Sequence, residues 1–220
     1  DAECAVEEFA EVELNDARLN QRCQEVAVDF SKHPHAPINE ACGPWRDTKA
    51  AYRFFDNERV TPGEILAPHH QHTADRMRRH DLVLAIQDTT FLNYTPHPQT
   101  QGLGEIGNKR QHQRGFGMHS TLAVSAAGVP LGLLTHTFFT RPLGEPRHEP
   151  NELRKLPIEE KESYRWLEAL DQTLALTPDE VSVLTVCDAE ADIYDLFVRA
   201  DDREAALLVR ASADRRLAEA

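Results

Sequence analysis

The sequence predicts an α+β (α/β) protein: a small N-terminal helical domain followed by an RNase H-type element order, a mixed β-sheet with flanking helices. Up to about residue 80, apolar side chains recur at helical spacing behind helix-start signals. From residue 82, short apolar runs of strand character take over. A length of 220 residues suits one or two domains with a sizeable core. We therefore predict a helical domain over residues 1–80 and a sheet domain over residues 81–220.

Composition narrows the function classes. The chain has 24 Lys and Arg against 37 Asp and Glu, a formal net charge of −13. This charge argues against a general polyanion binder, although DNA binding depends on where the charges lie. No apolar run approaches the ~18 residues of a membrane span, so no membrane partner is expected. The 4 cysteines form no Cys-x-x-Cys pair, which favours free thiols in a cytoplasmic protein over a zinc or disulfide framework.

The helical domain shows three helix starts. Asn15 or Asp16 can cap a first helix, in which the apolar side chains lie on one face. A second helix is predicted to begin near Asp47. Thr61 and Glu64 have capping-box spacing with a proline between them, which predicts a third helix. The stripe of the first helix consists of Leu19, Cys23, Val26 and Phe30.

The sheet domain reads as β-β-β-α-β-α-β. Ala127-Gly128 predicts a hairpin between the second and third strands, and a strand–helix–strand crossover would make the fourth strand parallel to the first. This is the element order of an RNase H-like sheet, which by pattern alone is one candidate among several α+β arrangements. The predicted strands cover residues 82–86, 119–126, 130–139, 181–186 and 206–209.

Two carboxylates stand at the ends of predicted strands. Asp88 ends the first strand and Asp188 ends the fourth. If these strands are parallel neighbours, both side chains emerge at one sheet edge, where they would repel each other without a cation between them. Mg²⁺ prefers such oxygen ligands, and two such ions can catalyse phosphodiester chemistry. A helix N-cap explains either aspartate alone, but the pair favours a metal site.

Seven segments carry a resemblance to a known family. They are residues 15–19 (Asn-Asp-Ala-Arg-Leu), 51–54 (Ala-Tyr-Arg-Phe), 85–90 (Ala-Ile-Gln-Asp-Thr-Thr), 114–120 (Arg-Gly-Phe-Gly-Met-His-Ser), 161–163 with Trp166, 186–193 and 208–210. They resemble DDE transposases of the cut-and-paste type, in the insertion-sequence-four superfamily. The similarity runs in order through nearly the whole chain, and this colinearity is more specific than any single motif.

The resemblance implies an RNase H-like catalytic domain behind a DNA-end-binding domain. It makes Asp88 and Asp188 the first two members of a triad that binds Mg²⁺ (or Mn²⁺). Its partners would be double-stranded DNA, as transposon ends and target, and a second copy in a synaptic homodimer. A bacterial cytoplasmic protein, nucleoid-associated when bound, is expected.

The third triad member, a Glu in a Tyr-x₃-Arg-x₆-Glu pattern, is expected beyond the fifth strand, and that pattern does not occur in this sequence. Glu162, Glu190 and Asp192 are not expected to replace it. The sequence therefore predicts a truncated, catalytically incomplete sheet domain. Two alternatives stay open: a different Mg²⁺-dependent nuclease on the same sheet, and an inactive DNA-binding remnant.

Basic side chains on the first two helices are candidate DNA contacts. Arg18 and Arg22 lie four residues apart, as do Lys49 and Arg53, so each pair shares a helix face. Phosphate contacts need cations held on rigid elements. Spacing alone also fits a solvated helix face; the resemblance favours DNA for these residues.

A second group of candidates belongs to the sheet domain. Lys109, Arg110 and Arg114 lie in a Gly- and Gln-rich loop that suits either a DNA backbone or an ordinary polar connection. The resemblance adds Arg210 as a DNA contact. His119, near the second strand, is a further candidate for substrate contact.

Overall fold

The computed structural model describes residues 2–107, 112–141, 152, 155–212 and 214. The chain divides into two compact units, Asp1–Asp75 and Arg76–Ala220, which we term the helical unit and the sheet unit. The division falls inside a helix, a few residues before the predicted boundary after residue 80. It does so because Met77, in the last turn of that helix, packs with Val83 and Ala85 in the sheet core.

Five helices begin in the helical unit, where the sequence predicts three. The two additional helices are too short to show an apolar period. Within the described ranges, no helix combines the length and apolar character needed to cross a membrane. The five are α1 (Ala2–Glu8), α2 (Ala17–Lys32), α3 (Ile38–Ala41), α4 (Trp45–Phe55) and α5 (Pro62–Met77).

The predicted caps of α2 and α5 are confirmed. The Asp16 carboxylate accepts a hydrogen bond from the Arg18 backbone N–H at 2.9 Å and so starts α2. At α5, the Thr61 backbone N–H donates to Glu64 Oε2 and the Glu64 N–H donates to Thr61 Oγ1, both at 3.3 Å. This reciprocal pair is a capping box, which satisfies backbone donors that a helix start leaves open.

The start of α4 differs from the prediction. The helix begins at Trp45 rather than near Asp47, because Pro44 occupies its N-cap and proline's fixed φ is compatible with a helix start. Two apolar clusters then hold the helical unit together. Their buried members are Val12, Leu14, Cys23 and Phe54 in one, and Val26, Cys42 and Ala51 in the other.

The sheet unit contains one mixed six-stranded sheet. β1 is central, with β3 antiparallel on one side and β5 parallel on the other; β6 pairs parallel with β5, and both β2 and β4 pair antiparallel with β3. Leaving the short β2 aside, this is the RNase H-like order predicted from the sequence. The strands are β1 (Leu82–Asn93), β2 (Gly104–Ile106), β3 (Gln113–Ser125), β4 (Pro130–Phe139), β5 (Ser182–Cys187) and β6 (Ala206–Val209).

Strands β1 and β3 are longer than their apolar runs predict. Their ladder continues to the pair Asn93–Gly115, because antiparallel hydrogen bonding joins backbone groups whether or not the side chains are apolar. Glycine is needed in the extension: a Cβ at Gly115 would overlap the backbone carbonyl oxygen of Leu92. The three-residue β2 was not predicted. The hairpin is confirmed, since the Gly128 backbone N–H donates to the Ser125 carbonyl at 2.8 Å.

One face of the sheet is packed against helices and the other is more exposed. Helices α6 (Tyr164–Leu176) and α7 (Tyr194–Asp202) cover the packed face, to which Val83, Ala85 and Gln87 of β1 belong. Short 3₁₀ turns, Ile158–Glu160 and Ala189–Ala191, precede these helices. On the opposite side, the open face, several large apolar side chains are exposed. They include Leu82 at 40%, Ile86 at 36%, Leu122 at 37%, Phe138 at 51% and Leu208 at 56%.

Candidate functional site

Asp88 and Asp188 lie side by side on the open face. The parallel ladder between β1 and β5 ends with Gln87 opposite Cys187, and each aspartate is the next residue of its chain segment. Neighbouring strands are about 4.8 Å apart, and in-register residues of parallel strands share a face. Both side chains are exposed. The structure therefore brings these two predicted residues together.

The two aspartates are held differently, and one prediction about them is wrong. Asp88 does not end its strand, because β1 continues to Asn93 along its ladder with β3. Asp188 does follow the last residue of β5, in extended backbone. Its Oδ1 accepts a hydrogen bond of 2.8 Å from the Glu190 N–H. The N-cap interpretation thus holds for Asp188, but this cap uses only one carboxylate oxygen.

Two residues that the sequence did not single out lie at the same level of the sheet. Ser120 is opposite Asp88 in the β1–β3 ladder, and His136 is opposite Ser120 in the β3–β4 ladder. Directly opposed residues share a face, so both belong to the open face. Burial lowers the pKa of His136, which favours its neutral form. Only the strand register shows this placement, because the residues opposite them belong to other strands.

Arg210 lies at this level on the other side. It follows β6 directly, and its backbone N–H donates to the Cys187 carbonyl at 3.2 Å, which continues the ladder. The Arg210 side chain is exposed. A guanidinium on the strand next to Asp188 offers paired N–H donors that suit a phosphate oxygen.

The remaining nearby acids are engaged by other protein groups. Glu162 and Glu190 pair with Arg165 at 3.3 and 3.2 Å. Asp192 accepts hydrogen bonds from the Ser212 backbone N–H at 2.7 Å and from its hydroxyl at 3.0 Å. Ion pairing and hydrogen bonding within the protein thus occupy these three side chains.

The donor chemistry of the aspartate pair fits a hard divalent ion. Mg²⁺ is commonly bound by one or two carboxylates together with waters and substrate phosphates. Among the residues that the structure describes, no group of three or more His, Cys, Asp or Glu side chains is assembled for a metal. Asp88 and Asp188 would thus hold such an ion together with waters or a phosphate.

His119 lies on the packed face rather than beside the carboxylates. It is 1% exposed, its Nδ1 is 2.8 Å from Thr89 Oγ1, and its Nε2 is 3.3 Å from Gln87 Oε1. Its ring packs edge-on to Trp166, with centroids 4.5 Å apart. Burial, and then the Arg165 charge, lower the pKa of His119 to about 4. The imidazole is therefore neutral near pH 7 and contacts the protein's own side chains.

The helical unit carries a cleft that we term the cationic cleft, with a volume of about 430 Å³. All four cations predicted on the first helices line it, although Arg22 also pairs with Glu25 at 2.7 Å. The sequence missed Arg46, because the predicted helix began after it. The cleft is lined by Arg18, Leu19, Arg22, Arg46, Lys49, Ala50, Arg53, Phe54 and Asn57.

The predicted cationic loop is described only in part. Lys109 and Arg110 lie outside the described residues. Arg114 is part of β3, opposite Glu105 of β2, and is exposed. Its backbone N–H donates to Thr95 Oγ1 at 2.9 Å. Part of the segment read as a loop is therefore sheet.

Comparison with known proteins bears on the helical unit. Residues 1–60 match the family model described as "Transposase DNA-binding". The match favours a transposase, and it covers none of the sheet.

Two solved structures are similar to this chain at 10% identity. They are the Mos1 strand transfer complex and the Mos1 transposase paired-end complex with left transposon end, each with a TM-score of 0.30 over 86% of this chain. The chain spans 58% and 59% of those chains. Similarity at this level defines neither the function nor the site.

Proposed function

We propose that this chain belongs to a cut-and-paste DNA transposase of the DDE type, in the insertion-sequence-four superfamily. The observation that carries the proposal is the in-register adjacency of Asp88 and Asp188 on the open face. The transposase DNA-binding match of residues 1–60 supports it. A homodimeric synaptic complex and a bacterial cytoplasmic location belong to the same proposal.

In this proposal the cationic cleft binds the transposon end. Its five cations come from two helices, α2 and α4, so they present charge from a rigid surface. Neutralising phosphates releases counterions, which makes DNA affinity fall as salt rises. The net charge of −13 does not oppose this role, because the acidic side chains are not among those that line the cleft.

In the sheet unit, Asp88 and Asp188 would hold divalent ions. Two such ions, when bound, would supply activation of the attacking oxygen and stabilisation of the leaving oxygen of a phosphodiester. Arg210 binds the phosphate beside them, and His136, in its neutral form, lies at the far side of the same level. The third carboxylate of a DDE triad would come from outside the described residues.

A second function is DNA binding without cutting. It is favoured by the absence of a three-ligand metal cluster in the described part of the chain. Under this alternative the cationic cleft binds transposon ends, and the aspartate pair has a structural role only. A general Mg²⁺-dependent nuclease on the same sheet would instead degrade DNA without joining it.

The decisive test uses the complete gene product with Mg²⁺ or Mn²⁺. Asp88→Asn and Asp188→Asn should each slow end cleavage about a thousandfold, since several kcal/mol of metal-assisted stabilisation are lost. The exposed Asp202 of α7 supplies the matched control, Asp202→Asn. End binding, measured by fluorescence anisotropy, should stay unchanged in all three variants.

Each other outcome has a defined meaning. Cleavage retained by either site variant would remove the DDE assignment. Degradation of DNA without end joining would favour the nuclease, and tight end binding without any cleavage by the unsubstituted protein would favour the non-cutting alternative.

A further inference from the structure

One guanidinium lies between the two carboxylate-bearing segments of the sheet unit. The Arg165 side chain, on α6, is only 10% exposed. Its Nε donates to Thr89 Oγ1 at 3.1 Å, and its Nη2 donates to Glu190 Oε2 at 3.2 Å. Its Nη1 donates to the Glu162 carbonyl at 2.7 Å. All three nitrogens of the group are therefore engaged.

The partners of Arg165 are next to the candidate metal ligands. Thr89 directly follows Asp88 in β1. Glu190 donates its backbone N–H to Asp188 Oδ1. The same guanidinium thus connects the segment that carries one aspartate to the turn that orients the other.

The Thr89 hydroxyl is itself fixed by a second set of contacts. Because it accepts a hydrogen bond from Arg165, its own proton is available to His119 Nδ1, at 2.8 Å. Neutral His119 then carries its proton on Nε2, directed at Gln87 Oε1 at 3.3 Å. The tautomer is assigned from these contacts. The network anchors Thr89 to the packed face of the sheet.

The chemistry of the group explains why arginine occupies this position. A planar guanidinium offers donors in fixed directions, whereas the lysine ammonium is a single point on a flexible stem. Arg165 also packs over the rings of Phe139 and Trp166, at 5.1 and 5.7 Å from their centroids. A buried cation is costly unless it is paired and hydrogen-bonded, and the paired carboxylates of Glu162 and Glu190 provide that compensation.

We propose that Arg165 is a positioning residue that sets the relative placement of Asp88 and Asp188. It touches neither carboxylate and acts through Thr89 and Glu190. This inference rests on the proposed function for its catalytic consequence, but not for its structural one. Reacting groups displaced by about 1 Å can lose about a hundredfold in rate, so a misplaced pair should cleave slowly while DNA is still bound.

The structural consequence is tested by amide hydrogen exchange on this chain. Arg165→Gln should speed exchange at residues 88–90 and at the Glu190 amide by at least about tenfold. The reason is that the substitution removes the guanidinium hydrogen bonds that hold Thr89 and Glu190 in place. The matched control is Arg199→Gln on α7, which removes an ion pair to Asp171. If exchange at both segments is no faster in Arg165→Gln than in this control, the proposal is overturned, independently of any cleavage rate.

The catalytic consequence is tested in the complete gene product by pairs of variants. Thr89→Ser and Glu190→Gln keep an acceptor for Arg165 and should cleave near the unsubstituted rate. Thr89→Val and Glu190→Ala remove it and should slow cleavage about a hundredfold, like Arg165→Gln, with end affinity unchanged. Equal rates within each pair would overturn the positioning role.

The two hypotheses fail in different ways. If Asp88→Asn cleaves normally, the proposed function fails, and the exchange experiment still decides whether Arg165 links the two segments. If Asp88→Asn is inactive while Arg165→Gln cleaves normally, only the positioning role fails.

Discussion

The helical unit and the sheet unit build their candidate sites in opposite ways. The cationic cleft collects long, exposed cations from two helices, and such side chains can reach a phosphate from many starting positions. The aspartate pair uses two short side chains at one level of a sheet, and a shared ion tolerates little displacement. The comparison teaches that binding is spread over several residues in one unit, whereas chemistry in the other depends on single positions.

The largest effect is expected from the core under the aspartate pair. Trp166 is 1% exposed and packs against His119, so Trp166→Ala should destabilise the sheet unit by about 3–5 kcal/mol. Trp45 on α4 is 74% exposed, and the control Trp45→Ala should cost almost nothing. Urea unfolding monitored by circular dichroism measures both. Equal losses of unfolding free energy in the two variants would contradict the difference in burial between Trp166 and Trp45.

Acidification should also weaken the sheet unit. The pKa of His119 is about 4 in the fold against 6.5 ordinarily. Between these values the unfolded chain binds more protons, so stability rises with pH across this window and is complete above about pH 7. Going from pH 7 to pH 5 should cost about 2 kcal/mol.

The substitution His119→Gln isolates this contribution. His136 also has a lowered pKa and contributes in the same direction in both proteins, so the difference between their urea midpoints at the two pH values belongs to His119. A variant with the same pH dependence as the unsubstituted protein would show that His119 is protonated normally in the fold.

In the helical unit, single substitutions should have smaller, additive effects. Arg53→Ala and Arg46→Ala should each weaken binding to a transposon end about tenfold, the loss of one charged hydrogen bond. Each should reduce the slope of log affinity against log salt by about 0.9. The exposed Arg203, paired with Asp171 at 3.0 Å, offers the control Arg203→Ala. An unchanged salt slope would remove the residue from the DNA interface.

The smallest effect is expected at α2, the helix that carries Arg18 and Arg22 of the cationic cleft. Asp16 caps α2, so Asp16→Ala should lower the free energy of unfolding by about 1 kcal/mol. The exposed Glu13, just before the helix, gives the control Glu13→Ala. Thermal unfolding compares the two. A loss equal to that of the control would mean that the cap contributes nothing.

The elements that the sequence predicted well are those with local signals. The capping box of Thr61 and Glu64 and the cap at Asp16 were readable because each joins residues two or three positions apart. The short helices α1 and α3 and the short strand β2 were missed because too few residues repeat to give a period. Because of Pro44, α4 begins at Trp45, before the predicted start near Asp47. Arg46 was therefore not among the candidate cations.

Among the candidate site residues, too, only those with a local signal in the sequence were predicted. Asp88 and Asp188 were recognisable as acids after apolar runs, and the cleft cations as pairs at helical spacing. Ser120 and His136 were not, since their neighbours belong to other strands. His119 was a candidate for substrate contact, yet the alternation of side chains along β3 directs it to the packed face.

By itself, the sequence determined the helix caps, the apolar strands and the order of elements that predicts an RNase H-like sheet, because those signals act between near neighbours along the chain. The tertiary structure alone decided which residues share a level and a face. Strand register places Asp88 beside Asp188, and side-chain packing places Arg165 between their two segments. The two aspartates are 100 positions apart along the chain, and the two contacts of Arg165 span 76 and 25 positions. Such relations arise only when the whole sheet has formed.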